Sequence, residues 1–243
     1  MLDTTLLLVI DNQHLDELKV AWKNWNYFKP EITNLPVFLV YDKEIENRLT
    51  EIPEIAKKAT LYPFTNKQYY ASQRDAMLTS FFEGIRNIKT KHYLKVDTDC
   101  LANNHDKGWL KQMDIADDIV FVSKGWGYTK PASKIYALED WADKTLSQYP
   151  RLNLKPVEGS DLIKHKRIIS WLFLGKTDWT NSMSGLCWKN DHYELPLPSQ
   201  DTFTWYCAER TKAKYIRANF KEYGFDHGRI SKLVDSIGDK SWL

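Results

Sequence analysis

Long apolar runs are missing from this 243-residue chain, whose N-terminal MLDTTLLLVI holds only five consecutive apolar residues, Leu6 to Ile10. Five is too few for a signal-peptide core or a membrane span, and Asp3 stands where a basic leader would be. The segment reads instead as the first strand of a cytoplasmic protein. Cysteine is scarce too: Cys100, Cys187 and Cys207 are odd in number and far apart, which excludes a disulfide framework and a CxxC metal knuckle and fits a reducing compartment. Net charge is nearly absent, with 34 Lys+Arg against 32 Asp+Glu, so no global field draws the molecule onto nucleic acid or an anionic membrane. There is no internal repeat, no low-complexity tract and no linker long enough to divide the chain, so residues 1–243 are read as one domain.

What is present is ordinary globular material, 43% hydrophobic and 27% charged, with ten Trp and thirteen Tyr. Flat amphipathic rings suit sugar faces as well as cores. TTLLLVI (4–10), LPVFLVYD (35–42), ATLYPF (59–64), HYLKV (92–96) and ADDIVFVS (116–123) read as strands. Between them DELKVAWKNWNYF (16–28) carries apolar residues at helical spacing through Leu18, Val20, Ala21, Trp22, Trp25 and Phe28. SQRDAMLTSFFEGIRNI does the same through Ala76, Met77, Phe81, Phe82, Ile85 and Ile88, with Ser72 as N-cap. Strands alternating with helices predict a largely parallel sheet with helices on its faces. Residues 124–182 mix turn residues and aromatics and are harder to read, beyond a helix at 137–148 and a strand at IISWLFLG (168–175). A helix at SQDTFTWYCAERTK and a strand at AKYIRANF follow.

The stretch KHYLKVDTDCLANN sets two carboxylates, Asp97 and Asp99, where a buried strand ends. In an extended segment side chains at i and i+2 point the same way, roughly 7 Å apart along the backbone. Open α/β sheets bind ligands beyond the carboxyl ends of their strands. Hard oxygen donors favour Mg²⁺ or Mn²⁺, ions that complete their shells with substrate phosphate oxygens. An EF-hand starting at Asp97 is excluded, since Ala102 and Gly108 occupy the places of its Gly and bidentate Glu. A haloacid-dehalogenase-type phosphatase fits poorly, because about ninety residues precede the motif and Leu101 stands where Thr or Val is usual.

Four features in order then carry a resemblance: FLVYD ending in Asp42, SQRDAM with Arg74 at a helix start, YLKVDTD, and MSGLCW leading into LPSQDTFTWYCAERTKAKYIRANFKEYGFDHG. The chain resembles GT-A fold glycosyltransferases, in pattern the inverting family 2 type. The resemblance implies a single Rossmann-type domain with a mixed, mostly parallel sheet, residues 1–123 binding a nucleotide sugar and 124–243 the acceptor. It assigns Asp97 to the donor, Asp99 and His227 to a divalent cation, Asp42 to the base and Arg74 to the nucleotide or pyrophosphate. Gln200-Asp201 stands where the family has Glu-Asp, which makes Asp201 the general base. The implied cofactor is Mn²⁺ or Mg²⁺. The implied partners are a nucleotide-sugar donor, a UDP-sugar foremost, and a glycan or other hydroxyl acceptor.

The activity expected on these grounds is metal-dependent transfer of a sugar to a hydroxyl, with inversion. Trp126, Tyr128, Trp171 and Trp179 are expected on the acceptor side. Competing readings are a phosphatase or nucleotidyltransferase built on the same acids, and a carbohydrate-binding protein in which Asp97 and Asp99 are only structural. The nucleotidyltransferase reading is weakened because VIDNQHLDEL carries no Gly-rich phosphate loop after strand one.

Overall fold

The structure is a computed structural model that describes residues 3–64, 73–113, 116–185, 188–189, 192–193 and 200–243; the side chains at 73–78, 126–128, 166, 167, 169, 188, 189, 192 and 193 lie outside that description. In chain order its elements are β1 (Thr4–Ile10), α1 (Asn12–Phe28), α2 (Pro30–Thr33), β2 (Val37–Asp42), a 3₁₀ segment (Lys43–Glu51), α3 (Pro53–Lys58), β3 (Ala59–Phe64), α4 (Gln73–Asn87) and β4 (His92–Val96). There follow β5 (Cys100–Ala102), α5 (Trp109–Gln112), β6 (Ile119–Pro131), α6 (Ala132–Thr145), β7 (Leu162–Lys176), α7 (Thr177–Gly185), β8 (Trp188–Lys189) and β9 (His192–Tyr193). The chain closes with α8 (Gln200–Thr211), β10 (Lys214–Arg217), a second 3₁₀ turn (Phe220–Tyr223), β11 (Phe225–His227) and α9 (Ile230–Ser236).

Seven strands form one sheet in the order β10-β6-β7-β4-β1-β2-β3. The pairs β1–β2, β1–β4, β2–β3 and β10–β6 are parallel. Strand β7 runs antiparallel to both neighbours, β4 and β6, so the sheet is mixed and mostly parallel, as expected. Its two faces separate by the period-2 alternation of the strands. Leu6, Leu8, Ile10, Leu39, Leu94 and Val96 pack beneath α1, while Leu7, Phe38, Val40, Tyr93, Phe121 and Phe173 face α4, α6 and α8. Because both faces are covered, the central strands read as unbroken apolar runs in the sequence.

The hard-to-read middle resolves into strand. β6 continues through GWGYTKP to Pro131 and pairs along its length with the 15-residue β7. Gly125 interrupts its sequence pattern for a packing reason: a Cβ there would lie 2.3 Å from Arg217 Cδ, and a register shift falls between Ser123 and Lys124. Helix α6 begins at Ala132, five residues before the predicted 137.

Candidate metal centre

β4 ends at Val96, and the Asp97 amide makes a last bond across to the Trp171 carbonyl of β7, at 2.8 Å. The Cys100 amide then donates to the Asp97 carbonyl at 3.0 Å, closing a turn over Asp97–Cys100. The acid pair therefore sits on a turn, not on the extended segment that the spacing suggests. Thr98, between them, is buried and donates its hydroxyl to the Glu17 carboxylate of α1 at 2.7 Å.

β5 starts at once and pairs antiparallel with β11, which sets Cys100 opposite His227. The ladder bonds run from the Asn103 amide to the Gly224 carbonyl (2.8 Å) and from the Gly228 amide to the Asp99 carbonyl (3.0 Å). A two-stranded pair thus carries the chain's C-terminal segment back to the acid turn. His227 Nε2 donates to Asp99 Oδ1 at 3.1 Å, and Trp171 stacks on the imidazole with centroids 5.7 Å apart and planes 13° from parallel. Asp97, Asp99 and His227 each offer one ligand atom, all within 4.8 Å of one another. Two carboxylates and one imidazole nitrogen, half-buried to exposed, are a donor set that could bind a divalent cation. Burial works against a charged His227 ring, yet the bond to Asp99 and the charges of Asp99 and Asp97 outweigh it, so its pKa lies above 6.5.

Helix α1 holds this construction in place. The bonded rungs at 99 and 103 leave the backbone of Cys100 and Ala102 pointing away from β11. Both are met by α1 side chains: Trp25 Nε1 donates to the Cys100 carbonyl (2.8 Å), and buried Asn24 exchanges two bonds with Ala102, one to its carbonyl (2.9 Å) and one from its amide (2.7 Å). At the helix end buried Lys29 donates to the carbonyls of Asp106 and Tyr223 and lies 5.0 Å from the Phe225 ring centroid. Its ammonium ties the loop after β5 to the turn before β11.

The N-terminus of α1 adds a second charged pair. Asp11 caps the helix by accepting from the Gln13 and His14 amides, and it accepts from His14 Nδ1 at 2.7 Å. That side-chain bond lowers Asp11 to about 2 and raises His14, which the charges of Glu17 and Asp97 raise further.

Of the residues singled out in the sequence, Asp97, Asp99 and His227 come together, and Asp97, expected on the donor, joins the ligand group. Asp42 ends β2, half-buried, and accepts from the Glu44 amide at 3.1 Å as cap of the 3₁₀ segment. Arg74 falls in the first turn of α4, and its side chain lies outside the described residues. Asp201 is buried in the first turn of α8. The three-residue ligand group contains neither Asp42 nor Asp201.

Among the aromatics, Trp171 is only 4% exposed and backs His227, so it presents no face to a sugar. Trp179 is half-buried against Phe121, and the side chains of Trp126 and Tyr128 lie outside the described residues. Lys95 escaped notice although its signal was present: two residues before Asp97 on a strand, it shares that residue's face. Its ammonium forms an ion pair with Asp97 Oδ1 and donates to the Ser170 carbonyl at 2.9 Å. Cys100 and Cys207 are free and buried; Cys187 lies outside the described residues. No helix among the described residues is long and apolar enough to cross a membrane.

No family model matches the chain, and no curated protein matches it in sequence. Solved structures do match. Core-mannan synthase A (CmsA/Ktr4) from Aspergillus fumigatus, in an Mn/GDP form, superposes with a TM-score of 0.54 at 13% identity, over 93% of this chain and 75% of that one. The mannosyltransferase Ktr4p from S. cerevisiae gives 0.58 at 10% identity, over 93% and 70%. A Bacillus anthracis protein described as a glucose-1-phosphate thymidylyltransferase, in complex with a sucrose, gives 0.54 at 9% identity, over 100% and 98%. At such identities the likeness is one of fold, and the fold is the GT-A type that the sequence resemblance implies.

Proposed function

We propose that the chain is a metal-dependent glycosyltransferase that moves a sugar from a nucleoside diphosphate sugar to an acceptor hydroxyl. One observation carries the reading: two carboxylates from the end of β4 and an imidazole from the far end of the chain are brought within 4.8 Å at the carboxyl edge of a GT-A-type sheet. An imidazole beside two carboxylates suits Mn²⁺ better than Mg²⁺. Asp97, Asp99 and His227 would hold the ion, which would supply positive charge against the departing diphosphate. Residues 1–123, completed by His227, form the donor side, with Asp42 toward the base and Arg74 toward the phosphates; 124–243 form the acceptor side. A UDP-sugar is the first donor to test. GDP-sugars come next, because two of the glycosyltransferase structures similar to this chain were solved with GDP.

For the acceptor step the reading assigns Asp201 as the base that takes the hydroxyl proton. Its support is the resemblance and the burial of a carboxylate at the start of α8, a helix that packs on β7, the strand carrying Trp171. Attack from the face opposite the leaving diphosphate inverts the anomeric centre. General-base catalysis is typically worth 10²–10⁴-fold. Asp201→Asn keeps the side chain's size and shape; transfer should fall by about that factor while metal-dependent nucleotide binding persists.

Nucleotidyl transfer is the second reading, favoured by the thymidylyltransferase-like structure that matches the whole chain. Against it, β1 passes through Asp11 alone into α1, which leaves no Gly-rich loop to cradle a triphosphate. Titration with UDP, GDP and their sugars, with and without Mn²⁺, separates the readings. A nucleoside diphosphate that binds only with metal, and loses that binding in Asp99→Asn, supports the transferase. Pyrophosphate release from a nucleoside triphosphate and a sugar 1-phosphate supports the alternative. Glycan binding indifferent to nucleotide and metal makes the protein a lectin and ends both enzyme readings.

A further inference from the structure

The acid turn already contains a cation of its own. Lys95 projects from β4 on the face that Asp97 continues, is largely buried, and pairs with Asp97 Oδ1 while donating to the Ser170 carbonyl at 2.9 Å. Asp97 is also one of the three converging ligand residues, so the same carboxylate serves two positive partners. Its geometry allows either. An ammonium is a point charge on a flexible four-carbon stem with three donors, and the two bonds described leave a third.

Charge arithmetic shows what the exchange produces. Asp97, Asp99 and Lys95 together carry −1, and a divalent ion brings the group to +1. With metal on Asp97, Lys95 no longer has its carboxylate to itself, and the Ser170 carbonyl remains as its partner. A surplus positive charge in a half-buried site is relieved by an anion. The anion that the proposed function brings here is a diphosphate.

We propose that Lys95 is a built-in competitor for the divalent cation at Asp97, displaced when the metal enters and thereby freed to contact the donor's diphosphate. This rests on the glycosyltransferase reading and extends it: Lys95 holds the empty site shut against metal alone, then contributes to nucleotide affinity once metal and nucleotide arrive together. Binding of the two ligands is thus coupled through one side chain.

The test is Lys95→Met read by two equilibrium measurements that need no turnover. Mn²⁺ alone, followed by the electron paramagnetic resonance of the free ion, should bind the variant about tenfold tighter than the parent, since the competitor is gone. UDP and GDP, titrated at saturating Mn²⁺, should bind the variant about tenfold weaker, and Lys95→Arg should restore most of the loss. Unchanged or weaker Mn²⁺ binding, or unchanged nucleotide affinity, overturns the proposal while leaving the metal centre standing. A parent protein that binds Mn²⁺ neither alone nor with either nucleotide instead removes the glycosyltransferase reading and this extension with it. If Lys95→Met does not fold, as judged by circular dichroism, Lys95→Gln serves the same two measurements.

Discussion

Asn24→Leu isolates the contribution of α1 to the site. Asn24 is fully buried and takes both outward-facing backbone groups of Ala102, at 2.9 and 2.7 Å, while β11 occupies the other edge of the short strand. Leucine has similar volume, so no large cavity opens, but an amide N–H and a carbonyl are left buried without partners. Each such orphan costs about 1–3 kcal/mol, which makes the expected loss roughly 2–6 kcal/mol for the pair. For a chain of this length about 2–4 °C of Tm follows each kcal/mol, so thermal unfolding by circular dichroism should shift down by roughly 4–24 °C. Asn24→Asp, which keeps an acceptor for the amide but buries a carboxyl group with an oxygen facing the Ala102 carbonyl, should lose at least as much. Mn²⁺ affinity should drop in Asn24→Leu beyond what unfolding explains, because β5 and β11 place Asp99 and His227. A Tm within 2 °C of the parent would refute the reasoning, since it would mean that the edge of β5 finds other partners at no cost.

Two further outcomes follow from the geometry. His14 should titrate above 6.5 by NMR, and Asp11→Asn should return it toward that value. The sign is fixed by the pair: its stabilisation is complete below 6.5 on the His14 side and fades as pH rises through the raised pKa, and on the acid side it is lost as Asp11 protonates between 3.8 and about 2. Gly224, at φ +83°, ends the turn before β11, and a Cβ there would lie 2.3 Å from Asn104 Nδ2. Gly224→Ala should cost about 1–3 kcal/mol in urea denaturation through left-handed strain and displacement of Asn104, and should weaken Mn²⁺ binding through the β11 it distorts.

The strands and the main helices were legible because their signals are local. ATLYPF coincides with β3 as written, and the apolar positions of α1 are those that pack on the sheet, since burial of a helix face leaves a 3.6-residue period in the letters. Gly125 and the turn-like residues after it concealed the continuation of β6, because what stabilises them is the distant side chain of Arg217 and the register of β7. Asn24 is a polar residue on the buried face of α1, and only the edge of β5 explains it.

Sequence alone determined the type of sheet, the run of residues that delivers Asp97 and Asp99 to its carboxyl edge, and the chemistry those acids can offer, all of which depend on neighbours a few positions apart. Tertiary structure decided that Asp97–Cys100 is a turn, that His227, with 127 residues between it and Asp99, closes on it through β11, and that Lys95 and Trp171 flank the ligands. Those contacts join segments remote in the chain, and the order of residues encodes no distance between them until the sheet and α1 bring them together.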